Sequence, residues 1–172
     1  NAVLSRVGSG GFKRSLRHPR FVPDVALVDP ALTLTLPRDL TLACGMDAFS
    51  QLVEAYLSTK SSPMSDALAA DGIRAACRSL RRVCENGDDL AARSDMAYAA
   101  MLSGIVLTQA GLGVIHGFAS AIGGLFAVPH GTICGTLMAA ANRITLNRLR
   151  RTGENAIALG KYARLGQWFG AA

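Results

Sequence analysis

The chain carries only three histidines, and two of them, His116 and His130, sit in matching settings, Ile115-His116-Gly117 and Pro129-His130-Gly131. An imidazole among apolar and small residues is costly unless it hydrogen-bonds or binds something. The glycine beside each leaves room for a ligand. Elsewhere Asp47 and Gln51 stand four residues apart, so on a helix a carboxylate and an amide oxygen share one face. Two imidazoles, one carboxylate and one amide are a donor set suited to a divalent ion of the zinc or ferrous kind. Glu54, one turn beyond Gln51, is placed to orient one of these ligands or to make a structural hydrogen bond or helix-end contact. The plainer readings stand beside this one: two hydrogen-bonded core histidines, and a solvated polar helix face.

The elements that must position these residues are mostly helices. Asp47, Ser50, Gln51 and Glu54 recur at spacings of three and four, while Phe49, Leu52, Val53, Tyr56 and Leu57 supply the apolar side of a helix beginning after Pro37. Ser62-Pro63 opens the next, across Ala67–Val83, and Asn86-Gly87-Asp88 stops it. An alanine-rich helix from Asp88 to Gln109 ends at Gly111-Leu112-Gly113. A buried helix is predicted at Val114–Ala127, another from Pro129 to Asn142, and a last amphipathic one at Glu154–Phe169. Ahead of them, Ala2–Val7 and Phe12–Leu16 flank a glycine-rich turn as a hairpin, with a third strand at Val25–Val28. The fold class is therefore mainly α, a bundle of five or six helices preceded by a short β-rich segment.

Composition bounds the rest. Of 172 residues, 50% are hydrophobic and 17% charged, which excludes disorder and gives one well-cored domain. Apolar runs such as Leu52–Leu57 and Ile133–Ala141 fall short of the ~20 residues that span a bilayer, so no membrane span is expected. The formal charge of +6 is concentrated at Arg14, Arg17 and Arg20, at Arg74–Arg82 and at Arg143–Arg151. No interleaved aromatics accompany these runs, and they read as solvated or partner-facing surface with no nucleic-acid role. The four cysteines, Cys44, Cys77, Cys84 and Cys134, form no CxxC pair and read as small core residues in a reducing, cytoplasmic protein. No GxGxxG or GxxxxGK[ST] follows a strand, so no phosphate cradle is visible. The sequence begins at Asn1 without a leader segment, which reads as a removed start or a fragment.

Three stretches resemble one family. Gly45-Met46-Asp47-Ala48-Phe49-Ser50-Gln51-Leu52-Val53-Glu54-Ala55-Tyr56 is similar to the GMDAxxHxxEAY signature of the iron-containing, or group III, alcohol dehydrogenases. Before it, Val22-Pro23-Asp24-Val25-Ala26-Leu27-Val28-Asp29-Pro30 with Leu36-Pro37 resembles that family's P-x-x-A-x-x-D-P…LP segment. After it, Gly111-Leu112-Gly113-Val114-Ile115-His116-Gly117 and Pro129-His130-Gly131 resemble its GLGxxHG…PHG pair.

The resemblance implies the helical C-terminal half of a two-domain, dehydroquinate-synthase-like enzyme whose other half holds NAD or NADP. It assigns residues 1–37 to a β-rich segment leading in from the nucleotide-binding half, and 38–172 to a helical metal-binding domain cut off near Ala172. By motif position, Asp47, His116 and His130 match three ligands of Fe²⁺ or Zn²⁺. Gln51 stands where the family has its remaining ligand histidine, Ser120 replaces a further cleft histidine, and Ala139 replaces a proline. The implied activity is hydride transfer between an alcohol and NAD(P), with aldehyde or ketone reduction in reverse, in a homodimer. Residues 1–172 alone are expected to be inactive. The alternatives are a metal-independent reductase resembling maleylacetate reductases, and a detached helical interaction module without turnover. Phe49, Phe118 and Phe126 are candidates for a substrate cleft or for the core.

Overall fold

The computed structural model describes residues 2–16 and 18–170, so Arg17 of the first basic run and the expected cut at Ala172 lie outside the described residues. A hairpin, β1 (Ala2–Arg6) and β2 (Phe12–Leu16), pairs antiparallel with Arg6 opposite Phe12. Six helices follow: α1 (Arg38–Leu57), α2 (Pro63–Glu85), α3 (Leu90–Ala110), α4 (Val114–Leu125), α5 (His130–Thr152) and α6 (Ala156–Gly170). Short 3₁₀ turns at Pro19–Phe21 and Pro30–Thr33 fill the connection. The mainly α bundle and its hairpin are as the periodicity predicts.

Each boundary has a local cause. Ser62 caps α2 in a reciprocal arrangement with Ser65, with Pro63 in the first turn where its missing N–H costs nothing. Asp89 accepts from the Ala92 N–H at 2.9 Å to start α3. Helix α1 is the hub, packing against α2, α3, α4, α5 and α6. Leu52, Val53, Ala55 and Tyr56 of α1 meet Ile73 and Ala76 of α2, Leu102 and Val106 of α3, and Ile115, Cys134 and Leu165 of α4, α5 and α6 in one core. The hairpin lies on α4, where the Gly8 N–H donates to the Gly124 carbonyl at 3.2 Å.

Several expectations are corrected. Val25–Val28 pairs with no strand among the described residues; Val25 and Leu27 stand 82% and 91% exposed, and a strand without a ladder partner has nothing to hold it. Helix α4 is not buried all round, since it packs by the face of Ile115, His116 and Ala119 and leaves Val114 and Phe118 outside. Helix α5 runs ten residues past Asn142, because that side chain donates back to the Met138 carbonyl at 2.9 Å and accepts from the Tyr162 hydroxyl at 2.8 Å. Only Cys134 of the cysteines is buried; Cys44 is exposed. By length and composition α3 is long and apolar enough to cross a membrane. One face of it is spent on helix contacts: Ala99, Leu102 and Val106 are buried in the core and Asp95 accepts from Ser79 Oγ of α2 at 2.7 Å, while Met101 and Ile105 stay exposed.

Candidate metal centre

Three helices meet at one point. Helix α1 supplies Asp47, Gln51 and Glu54 from successive turns, while α4 and α5 bring their first turns, with His116 and His130, against it. Helix N-termini carry unpaired N–H groups and the positive end of the helix dipole, so the start of α4 favours the Glu54 carboxylate it faces. Glu54 takes the place of a side-chain cap for α4: its Oε1 accepts from the Ile115 N–H at 2.7 Å and its Oε2 from the His116 N–H at 3.4 Å.

Two glycines make these approaches possible. A Cβ on Gly113 would stand 2.8 Å from Glu54 Oε1, and one on Gly131 would run into the Ala43 carbonyl of α1. Position 131 must therefore be glycine for the start of α5 to touch α1. That contact sets His130 beside Asp47.

Within the cluster, His116 Nδ1 lies 2.6 Å from Glu54 Oε2 and its Nε2 3.1 Å from Asp47 Oδ1. His130 Nε2 is 3.7 Å from the same Asp47 oxygen, and the two imidazole centroids are 5.4 Å apart. Cys134, one turn into α5, places Sγ 3.7 Å from His116 Nε2 and 3.8 Å from Asp47 Oδ1. One ligand atom from each of Asp47, His116, His130 and Cys134 lies within 4.8 Å of every other.

Burial works against charge on His116, but hydrogen bonds with Asp47, Cys134 and Glu54 overcome it and push its pKa up to about 11. Burial likewise opposes ionisation of Asp47 and Glu54. Only together do the opposing effects outweigh it: the hydrogen bond from His116 in both, with the His130 charge and the Gln51 amide at Asp47 and the backbone N–H groups of Gly113 and Ile115 at Glu54. Both carboxyls are held below their usual range. His130 behaves oppositely: burial lowers its pKa, and its Nδ1 is buried with no hydrogen-bond partner among the described residues.

The structure thus brings Asp47, His116 and His130 together. Gln51 sits beside them, its amide against Asp47 and its Oε1 2.9 Å from the Ser103 hydroxyl. Ser120 is half-buried on α4, and Ala139 is exposed on α5. Of the aromatic candidates, Phe49 packs against Phe169 at 5.6 Å, whereas Phe118 and Phe126 are 57% and 59% exposed. Sequence reading missed the nearness of Cys134. The signal was present, because Cys134 follows His130 at the same four-residue spacing that links Asp47 and Gln51.

The chain belongs to the Fe-containing alcohol dehydrogenase family, whose C-terminal domain its residues 41–172 match. It is 42% identical over 127 residues to a 1,3-propanediol dehydrogenase of Citrobacter freundii, covering 74% of this chain and 33% of that one. With long-chain-alcohol dehydrogenase 1 of Geobacillus thermodenitrificans it shares 44% identity over 119 residues, 69% of this chain and 30% of the relative. Among solved structures, an archaeal halo-thermophilic alcohol dehydrogenase from a Red Sea brine pool superposes with a TM-score of 0.85 at 25% identity, over 94% of this chain and 39% of that one. The chain spans about a third of the length of the relatives it matches.

Proposed function

We propose that, as a member of this family, the chain forms the helical metal-binding part, residues 38–172 led into by 1–37, of an oxidoreductase that moves a hydride between an alcohol and NAD or NADP. The observation that carries the reading is the convergence of Asp47, His116 and His130 from three helices. Their chemistry fits a divalent ion: a carboxylate held ionised, an imidazole fixed by a carboxylate behind it, and a second imidazole whose Nε2 faces the same carboxylate at 3.7 Å. Asp47, His116 and His130 would hold the ion, Fe²⁺ or Zn²⁺, with Gln51 beside Asp47. Such an ion supplies Lewis acidity toward an alcohol or carbonyl oxygen.

The chain's own residues do the positioning. Glu54 accepts the Nδ1 proton of His116 and so directs Nε2 toward Asp47, the carboxylate–histidine arrangement that orients metal ligands. The Gln51 amide, backed by Ser103, steadies the Asp47 carboxylate. The exposed apolar side chains of Val22, Val25 and Leu27 suit a homodimer contact.

Zinc and ferrous titration against a competing chelator tests the reading. Asp47→Asn and His116→Ala are expected to lose the ion, and cofactor reduction with a panel of primary alcohols follows turnover. Unchanged affinity in both variants refutes the site.

A further inference from the structure

We propose that the Cys134 thiolate is the fourth donor of this centre, giving an Asp47–His116–His130–Cys134 site that selects zinc over iron. The inference rests on the metal reading above and assigns the ligand which that reading leaves open at Gln51.

The argument is geometric. For a tetrahedral ion with bonds of about 2.0 Å to oxygen and nitrogen and about 2.3 Å to sulfur, donor atoms stand about 3.3 Å apart for N···O pairs and about 3.5 Å for pairs with sulfur. Asp47 Oδ1 lies 3.1 Å from His116 Nε2 and 3.7 Å from His130 Nε2, and Cys134 Sγ lies 3.7 Å and 3.8 Å from His116 Nε2 and Asp47 Oδ1. Four of the six edges are thus within about 0.4 Å of these lengths, and the two others, His130 with His116 and with Cys134, lie within 4.8 Å. Closing the site is mainly a movement of the His130 imidazole.

Gln51 is engaged elsewhere. Its oxygen meets the Ser103 hydroxyl at 2.9 Å while its amide backs Asp47. Among the described residues Cys134 has no competing partner beyond the cluster itself, and its side chain is fully buried there.

On binding, the thiol proton leaves to solvent as the S–metal bond forms, with no change of oxidation state. A set of one carboxylate, two imidazoles and one thiolate favours zinc, because softer donors and the divalent affinity order both place zinc above ferrous iron.

Cobalt(II) is the probe. The chain loaded with Co²⁺ is expected to show a near-ultraviolet thiolate-to-cobalt charge-transfer band and the intense visible bands of four-coordination. Cys134→Ser should abolish the charge-transfer band and weaken zinc by more than the 10–100-fold that outer partners of a ligand give. Cys44→Ser and Gln51→Ala should keep the band. X-ray absorption of the zinc-loaded wild-type chain should show one sulfur at about 2.3 Å and needs no variant to fold. Cobalt bound without the band and zinc without a sulfur neighbour overturn the thiolate assignment and leave the three-residue site standing. Failure of either ion to bind the wild-type chain overturns both.

Discussion

Glu54→Gln is the sharpest perturbation of this centre, because it keeps shape and removes only a charge and an acceptor. Both oxygens of Glu54 are in use: Oε1 accepts from the Ile115 N–H at 2.7 Å, and Oε2 faces His116 Nδ1 at 2.6 Å. A glutamine has one oxygen. Turned toward His116, it sets its NH₂ against the Ile115 N–H; turned the other way, it sets NH₂ against the protonated Nδ1. Either pose leaves a buried donor facing a donor, at about 1–3 kcal/mol. The imidazolium also loses one of its two carboxylates at a place where both side chains are 7% exposed. Breaking a buried pair by removing one partner costs about 3–5 kcal/mol. The loss of unfolding free energy should therefore be about 3 kcal/mol, read from the urea midpoint at neutral pH. In the chelator competition, zinc affinity should fall about 10–100-fold, as for other outer partners of ligand histidines. A variant of wild-type stability that holds zinc within twofold of wild type would refute the claim that Glu54 positions His116.

Three further outcomes follow from the same contacts. Gln51→His replaces an amide by a more basic donor at the same turn of α1 and should tighten Fe²⁺ at least about tenfold in chelator competition; equal affinity would mean that position 51 does not reach the ion. Gly131→Ala drives a methyl into the Ala43 carbonyl, so α5 must lift from α1. A loss of about 1–3 kcal/mol in denaturant melts, together with weakened metal binding, is expected. Lys161→Met removes the ammonium that joins α6 to the Tyr56 carbonyl at 2.7 Å, Ser61 Oγ at 2.7 Å and Asp66 Oδ1 at 2.8 Å. Amide exchange in α6 should quicken while metal affinity stays unchanged, and a protected α6 would count against that anchor.

Much of the fold was legible because its punctuation is local. Ser62-Pro63, Asn86-Gly87-Asp88 and Gly111-Leu112-Gly113 act within a turn or two of themselves, and the helix ends fall beside them. Asn142 misled for the opposite reason. As an isolated residue it reads as a terminator, yet Tyr162 from α6 satisfies it inside a continuing helix. Val25–Val28 has strand composition, and composition cannot supply a partner edge.

The site was legible in its residues and illegible in its surroundings. Asp47, Ser50, Gln51 and Glu54 have the spacing of a solvated stripe, and periodicity does not record what lies opposite. Here the stripe faces inward: Ser50 is wholly buried and returns its hydroxyl to the Met46 carbonyl at 2.7 Å, and Glu54 is 8% exposed. What makes such a stripe tolerable is what docks on it: the start of α4 supplies N–H groups to Glu54, and the His116 ring lies between the Glu54 and Asp47 carboxylates where water would otherwise be needed. The readable trace of that docking is Gly113 and Gly131, each standing where a side chain would strike α1. Polar residues at helical spacing on one segment, matched by histidines next to glycines at the starts of two others, are thus better evidence for a buried centre than any one of those features alone. Cys134 belongs to the same pattern, one turn along α5 from His130.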